Sequence, residues 1–150
     1  MSDDKHSLAI SLFSEVLAAD QMIRNRLHRV LPKGMEISHF SVLNHLAWHE
    51  GERSPAQLAE TFNVTRGAMT ITLIRLEWAG FAHSRPDWDD ARRKMVALSP
   101  AGRRARDQAL SAIAPMVSDV IDKLGEGAVR ATVPILRQMR AELSDKIKPD

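Results

Sequence analysis

The sequence predicts a mainly α chain carrying a small β-hairpin, and three observations support that class. Two serine–proline pairs, Ser54-Pro55 and Ser99-Pro100, each set a capping side chain before a proline whose φ is already helical. Apolar residues recur at helical spacing through both terminal parts of the chain. Between the two serines, Phe81 to Arg85 and Lys94 to Leu98 alternate as strands do around a polar stretch.

The elements follow in order. A long first helix is predicted from Ser7 to about Leu31, with Leu8, Leu12, Val16, Ala19, Ile23, Leu27 and Val30 on one stripe and Ile10, Phe13 and Leu17 on another. Two apolar faces on one helix require two partners. Pro32-Lys33-Gly34 breaks that helix, and Ser38 is expected to cap a shorter one that runs to about Glu50. Phe40, Leu43, Leu46 and Ala47 give it a packing face, and Trp48 is expected to pack as well.

Ser54-Pro55-Ala56-Gln57 reads as a capping box, in which the serine accepts from an N–H at the helix start and the glutamine reaches back. Phe62-Asn63-Val64 is the turn out of this helix, with Asn63 suited to a left-handed backbone. Thr65 caps the next helix, whose Met69, Thr72, Leu73 and Leu76 form a packing side, and Gly80 ends it. Its opposite side presents Arg66, Gly67, Ala68, Thr70, Ile71, Ile74 and Arg75. Two helices joined by so short a turn form a helix-turn-helix, and the small residues near Arg66 would let the second helix sit deep in a major groove.

The two strands and the polar stretch Pro86 to Arg93 form a wing, which places arginine near a minor groove. Trp78 is expected to support this hairpin, and Trp88 to lie exposed at its tip. Ser99-Pro100 opens a helix to about Leu124 that Pro115 should kink, and Gly125-Glu126-Gly127 breaks it. A last helix carries Val129, Val133, Leu136, Met139, Leu143 and Ile147, with a second kink expected at Pro134. The terminal helices hold more apolar surface than a lone chain of this length can cover, so they are expected to associate across a two-fold axis.

The 150 residues amount to one domain, 1–150, divided into dimerisation helices at 7–31 and 99–147 and a winged helix-turn-helix lobe at 38–98. Charge is unevenly spread. Residues 66–106 hold nine Lys or Arg against four Asp or Glu, a balance of +5, and the remainder holds twelve against fifteen, a balance of −3, matching the net +2. Such a basic segment on a mildly acidic body is the electrostatic footprint of a DNA-binding surface.

There are no cysteines, which excludes disulfides, thiol redox sensing and thiolate metal sites. Met1 to His6 lack the basic start and apolar core of a signal peptide, and no apolar run approaches a membrane span, so a cytoplasmic location is expected.

The run Ser54 to Gly102 resembles the winged helix-turn-helix of the MarR (multiple antibiotic resistance regulator) family. The matching residues are Leu58-Ala59, Thr65-Arg66, Arg75-Leu76-Glu77 with Gly80, Asp90-x-Arg92 in the wing, and Leu98-Ser99-x-x-Gly102 leading out. The resemblance implies a homodimeric bacterial transcription regulator, a repressor that binds double-stranded DNA at a pseudo-palindromic operator. It implies that the Asp90 and Arg92 pair stiffens the wing. It also implies release by a small aromatic or phenolic ligand held between the dimer helices and the winged lobe, near Arg24, His28 and His39. Two departures stand out: Ile71 and Ile74 make the outward helix face apolar, and Asp87, Asp89 and Asp90 make the wing tip acidic.

The residues expected to meet DNA are Thr65, Arg66, Gly67, Ala68, Thr70, Ile71, Arg75, Arg85, Arg92, Arg93 and Lys94. Two other readings compete with that one. His45 and His49, four apart on a helix, have the spacing of paired imidazole ligands and would make a metal-responsive regulator, with Glu50 or Glu52 as a third ligand; no metal or cofactor is otherwise expected. A winged-helix protein-interaction module without DNA binding is the other, favoured by Ile71 and Ile74 and opposed by the cations beside them. No G-x-S-x-G, no G-x-x-x-x-G-K and no paired-carboxylate arrangement is present, so catalysis is not expected.

Overall fold

The computed structural model describes residues 2–49 and 51–144. The order is α1 (Ser2–Val30), α2 (Ile37–Trp48), α3 (Pro55–Phe62), α4 (Arg66–Trp78), β1 (Ala82–Pro86), β2 (Lys94–Leu98), α5 (Pro100–Leu124) and α6 (Glu126–Leu143). This is the mainly helical chain with one antiparallel hairpin that the sequence predicts. Glu50 and Ile147, assigned above to the ends of two helices, lie outside the described residues.

Caps set most helix starts. The Ser54 hydroxyl accepts from Gln57 N at 3.2 Å while the Gln57 side chain accepts from Ser54 N at 3.0 Å, and Pro55 follows, closing the capping box. The Thr65 and Ser99 hydroxyls accept from Ala68 N and Gly102 N in the same way. At α2 the expectation fails: the cap is Glu36, whose partner is His39, with Nδ1 accepting from Glu36 N at 3.2 Å, and Ser38 lies inside the helix. A glutamate long enough to reach its own N3 amide does the work usually given to serine. Neither Pro115 nor Pro134 ends its helix.

Two apolar clusters hold the fold. The larger joins Val42, Leu43 and Leu46 of α2, Leu58 and Ala59 of α3, Met69, Leu73 and Leu76 of α4, Ala82 and Val96 of the hairpin and Ala105 of α5. The smaller joins Leu31 to Ala109 and Ile113 of α5. Leu43 and Leu58 are wholly buried, so truncating either to alanine would cost about 2–5 kcal/mol. The hairpin register pairs Ala82 with Leu98 and Ser84 with Val96. Arg53 adds a third, one-residue strand, exchanging both backbone hydrogen bonds with Val96 at 3.0 and 2.7 Å and so anchoring the wing to the loop before α3.

The outer helices are a different case. Neither α1 nor α6 has a buried residue, and Leu8, Leu17, Leu124 and Leu143 are all largely exposed. Trp48 and Trp78 are exposed too, against the expectation that both pack, because each sits at the last turn of its helix, past the final core-facing residue.

Candidate nucleic-acid interface

The second helix of the turn motif is held by its inner face alone. Met69, Leu73 and Leu76 are buried, and the Asn63 backbone at φ 51° and ψ 48° turns the chain sharply out of α3. Among the described residues Asn63 is the one non-glycine with positive φ, a conformation its side chain tolerates. That geometry leaves Thr65, Arg66, Gly67, Ala68, Thr70, Ile71, Ile74 and Arg75 exposed.

Several polar groups on this face are already satisfied. The Thr65 hydroxyl accepts from Ala68 N, and Thr70 donates its hydroxyl proton to Arg66 O at 2.8 Å. Arg75 pairs with Glu36 at 3.4 Å, each more than half exposed, a contact that contributes at most ~1 kcal/mol and can be exchanged for phosphate. Arg66 has no such partner among the described residues.

The wing tip is an ordered turn. Asp87 N donates to Arg93 O at 2.8 Å, Arg93 N to Asp90 O at 2.9 Å, and Asp89 N to Asp87 Oδ1 at 3.1 Å. Asp90 Oδ1 accepts from both Arg92 N and Arg92 Nε, at 3.1 and 3.2 Å, so two of the three tip carboxylates fix backbone. Arg92, Arg93 and Lys94 are exposed beside them. Arg85 differs from these cations: Nε donates to Glu52 at 2.9 Å, Nη1 donates to Pro86 O, and its guanidinium lies 4.7 Å from the centre of the Trp88 ring. It ties the outer end of the wing to the loop before α3. Neither Glu52 nor Arg53 was singled out from sequence as a brace for the wing, and no local pattern could have done so, since both act through strands more than thirty residues away.

His45 and His49 do come together, with ring centroids 4.7 Å apart, and Phe62 meets His45 edge-on at 5.5 Å. Among the described residues no group of three His, Cys, Asp or Glu is placed to hold a metal ion. Burial, then the neighbouring His49 and Arg53, hold the His45 pKa below its ordinary value, and among the described residues its Nε2 has no hydrogen-bond partner.

A cavity of about 470 Å³ lies between the loop after α1 and the base of α4. Lys33, Glu36, His39, Arg75 and Phe81 line it, so that one wall is the ion pair that ties α4 to the loop. Of Arg24, His28 and His39, only His39 reaches this cavity; Arg24 is paired with Asp20 along α1, and His28 is exposed on the same helix.

Residues 33–93 match the model of the MarR family. No curated protein sequence matches the chain. Among solved structures, a cysteine-to-serine mutant of MarR from E. coli complexed with operator DNA is 22% identical, with a TM-score of 0.76 over 87% of this chain and 94% of that one. A MarR-family transcriptional regulator from Rhodococcus sp. RHA1 is 19% identical, with a TM-score of 0.79 over 88% and 95%. The PcaV transcriptional regulator from Streptomyces coelicolor, in complex with its natural ligand, is 18% identical, with a TM-score of 0.74 over 87% and 91%. At these identities the likeness is one of fold, and it spans the terminal helices as well as the winged lobe.

Proposed function

We propose, from the match of residues 33–93 to the MarR-family model and the MarR-like fold of the whole chain, that this protein is a MarR-family member and a homodimeric, sequence-specific DNA-binding transcription regulator. The observation that carries this reading is the outward face of α4, small and open at its start, with Arg66 exposed on it, together with an internally braced wing that exposes Arg92, Arg93 and Lys94. Thr65, Arg66, Gly67, Ala68, Thr70 and Ile71 enter the major groove. Arg75 exchanges Glu36 for phosphate, and Arg92 and Arg93 with Lys94 serve the minor groove. Arg85 positions the wing. The operator is a pseudo-palindrome with half-sites about one helical turn apart, as a two-fold dimer requires.

The relative solved with operator DNA supports duplex DNA as the partner, and the one solved with its natural ligand supports an effector. The protein acts in the cytoplasm as a repressor. A small aromatic or phenolic acid enters the cavity between Lys33, His39 and Arg75, and favours the state of the dimer whose α4 spacing does not fit DNA. Release then follows from the ligand's differential affinity for the two states.

The test is fluorescence anisotropy on duplexes that the protein selects from genomic fragments. Affinity should fall steeply, by about a hundredfold or more, between 50 and 200 mM salt, as phosphate contacts by several cations demand. The Arg66→Ala/Arg92→Ala double variant should bind far more weakly. Full affinity in that variant, or salt-independent binding, overturns the reading in favour of an apolar protein contact.

A further inference from the structure

We propose that α4 reads methyl groups: Ile71 and Ile74 contact the C5-methyl of thymine in the major groove, or of 5-methylcytosine standing in its place. The inference rests on the DNA-binding reading above and deepens it by naming what that helix recognises. Gly67, Ile71 and Ile74 fall at i, i+4 and i+7, on one stripe of the helix, with Ile71 57% and Ile74 41% exposed. The N-terminal half of the stripe is bare. A Cβ on Gly67 would find only the Thr65 hydroxyl, 4.0 Å away, and Ala68 beside it is small, so the helix can approach a groove floor closely enough for isoleucine tips to reach base edges.

Hydrogen-bond donors, by contrast, are few on this face. The Thr70 hydroxyl proton is committed to Arg66 O, the Thr65 oxygen is engaged by Ala68 N, and Arg75 lies toward Glu36. Arg66 and the Thr65 hydroxyl proton are left as donors to a base edge. The two isoleucines have no polar atom with which to read any other feature, and the one apolar group a DNA base presents in the major groove is the thymine methyl. Arg66 and Arg75 on the same helix, with Arg92, Arg93 and Lys94 exposed on the wing, favour a polyanion as its occupant over an apolar protein surface.

The probe is a duplex selected by the protein from a random-sequence pool, resynthesised with deoxyuridine replacing thymine one position at a time. Each contacted methyl should be worth about fourfold in affinity, the equivalent of ~0.8 kcal/mol for one buried methyl. Cytosine at such a position should bind weakly, and its 5-methylated form should recover about fourfold. In the Ile71→Ala/Ile74→Ala variant, whose exposed side chains should leave the thermal midpoint unchanged, the uracil penalty should vanish. A duplex that binds with steep salt dependence yet ignores every uracil substitution overturns this inference and leaves DNA binding standing. An undiminished penalty in the double variant overturns it as well. A pool that yields no salt-dependent binder removes both.

Discussion

At Gly102 the fold accepts no side chain larger than hydrogen. A Cβ there would overlap the Phe81 carbonyl and press on Leu98, because the first turn of α5 packs directly against the chain entering β1, where Ser99 N also donates to Phe81 O at 3.0 Å. Gly102→Ala should therefore cost about 2 kcal/mol or more and lower the thermal midpoint by several degrees, measured by calorimetry. His45 sets a second limit, electrostatic rather than steric. Its pKa is lowered in the fold by burial, His49 and Arg53, with the edge of Phe62 closing the other side, so folding disfavours its proton. Its contribution to stability is present above the unfolded value of about 6.5 and is lost as pH falls through the lower folded value. Thermal midpoints should drop on acidification through that range, and His45→Gln should flatten the drop; identical pH profiles would refute the assignment. From sequence this histidine was legible as half of a metal pair. Its crowding by Arg53 was not, because the arginine is brought there by its strand pairing with Val96.

At the scale of elements, the sequence was readable wherever one local rule decided the outcome. Ser54, Thr65 and Ser99 cap as expected, Asn63 takes the left-handed turn, and the hairpin needed only its first strand moved by one residue. Reading failed where the deciding contact was unusual or distant. The Glu36 cap depends on His39 returning the bond, and Trp48 and Trp78 lie two residues past the last buried positions, Leu46 and Leu76, and so on the opposite side of their helices. The wing shows both cases, since the Asp90–Arg92 bond is local while the Glu52–Arg85 brace is not. Asp90→Ala removes two hydrogen bonds to Arg92 at the tip, from an exposed pair worth ~1 kcal/mol or less. DNA affinity should fall by up to about fivefold and amide exchange should quicken across residues 89–93, with the global thermal midpoint almost unmoved. A midpoint lowered by several degrees would make the tip part of the core instead.

Over the whole molecule, the core binds α2 to α5 with the hairpin, α4 and the wing expose Arg66, Arg75, Arg92, Arg93 and Lys94, and the outer helices leave their apolar residues open. A groove along α1 and the second half of α5, with Ile23, Val120 and Leu124 in its walls, is almost wholly apolar. Water against that much hydrocarbon is unfavourable by roughly 25 cal/mol per Å², which is the physical reason for reading a second copy of the chain there. For the proposed regulator the consequence would be avidity, because one winged lobe alone would have only a half-site to hold. Ile23→Glu/Val120→Glu places two charges in the groove without touching the buried clusters. The variant should keep its helical content and sediment as a 16.8 kDa monomer where the parent protein sediments at twice that mass. Its operator affinity should fall by about a hundredfold or more, the scale set by losing one of two linked contacts. A parent protein that is monomeric at micromolar concentration, or a charged variant that still dimerises and binds, would show that these helices cover their apolar faces by some other means.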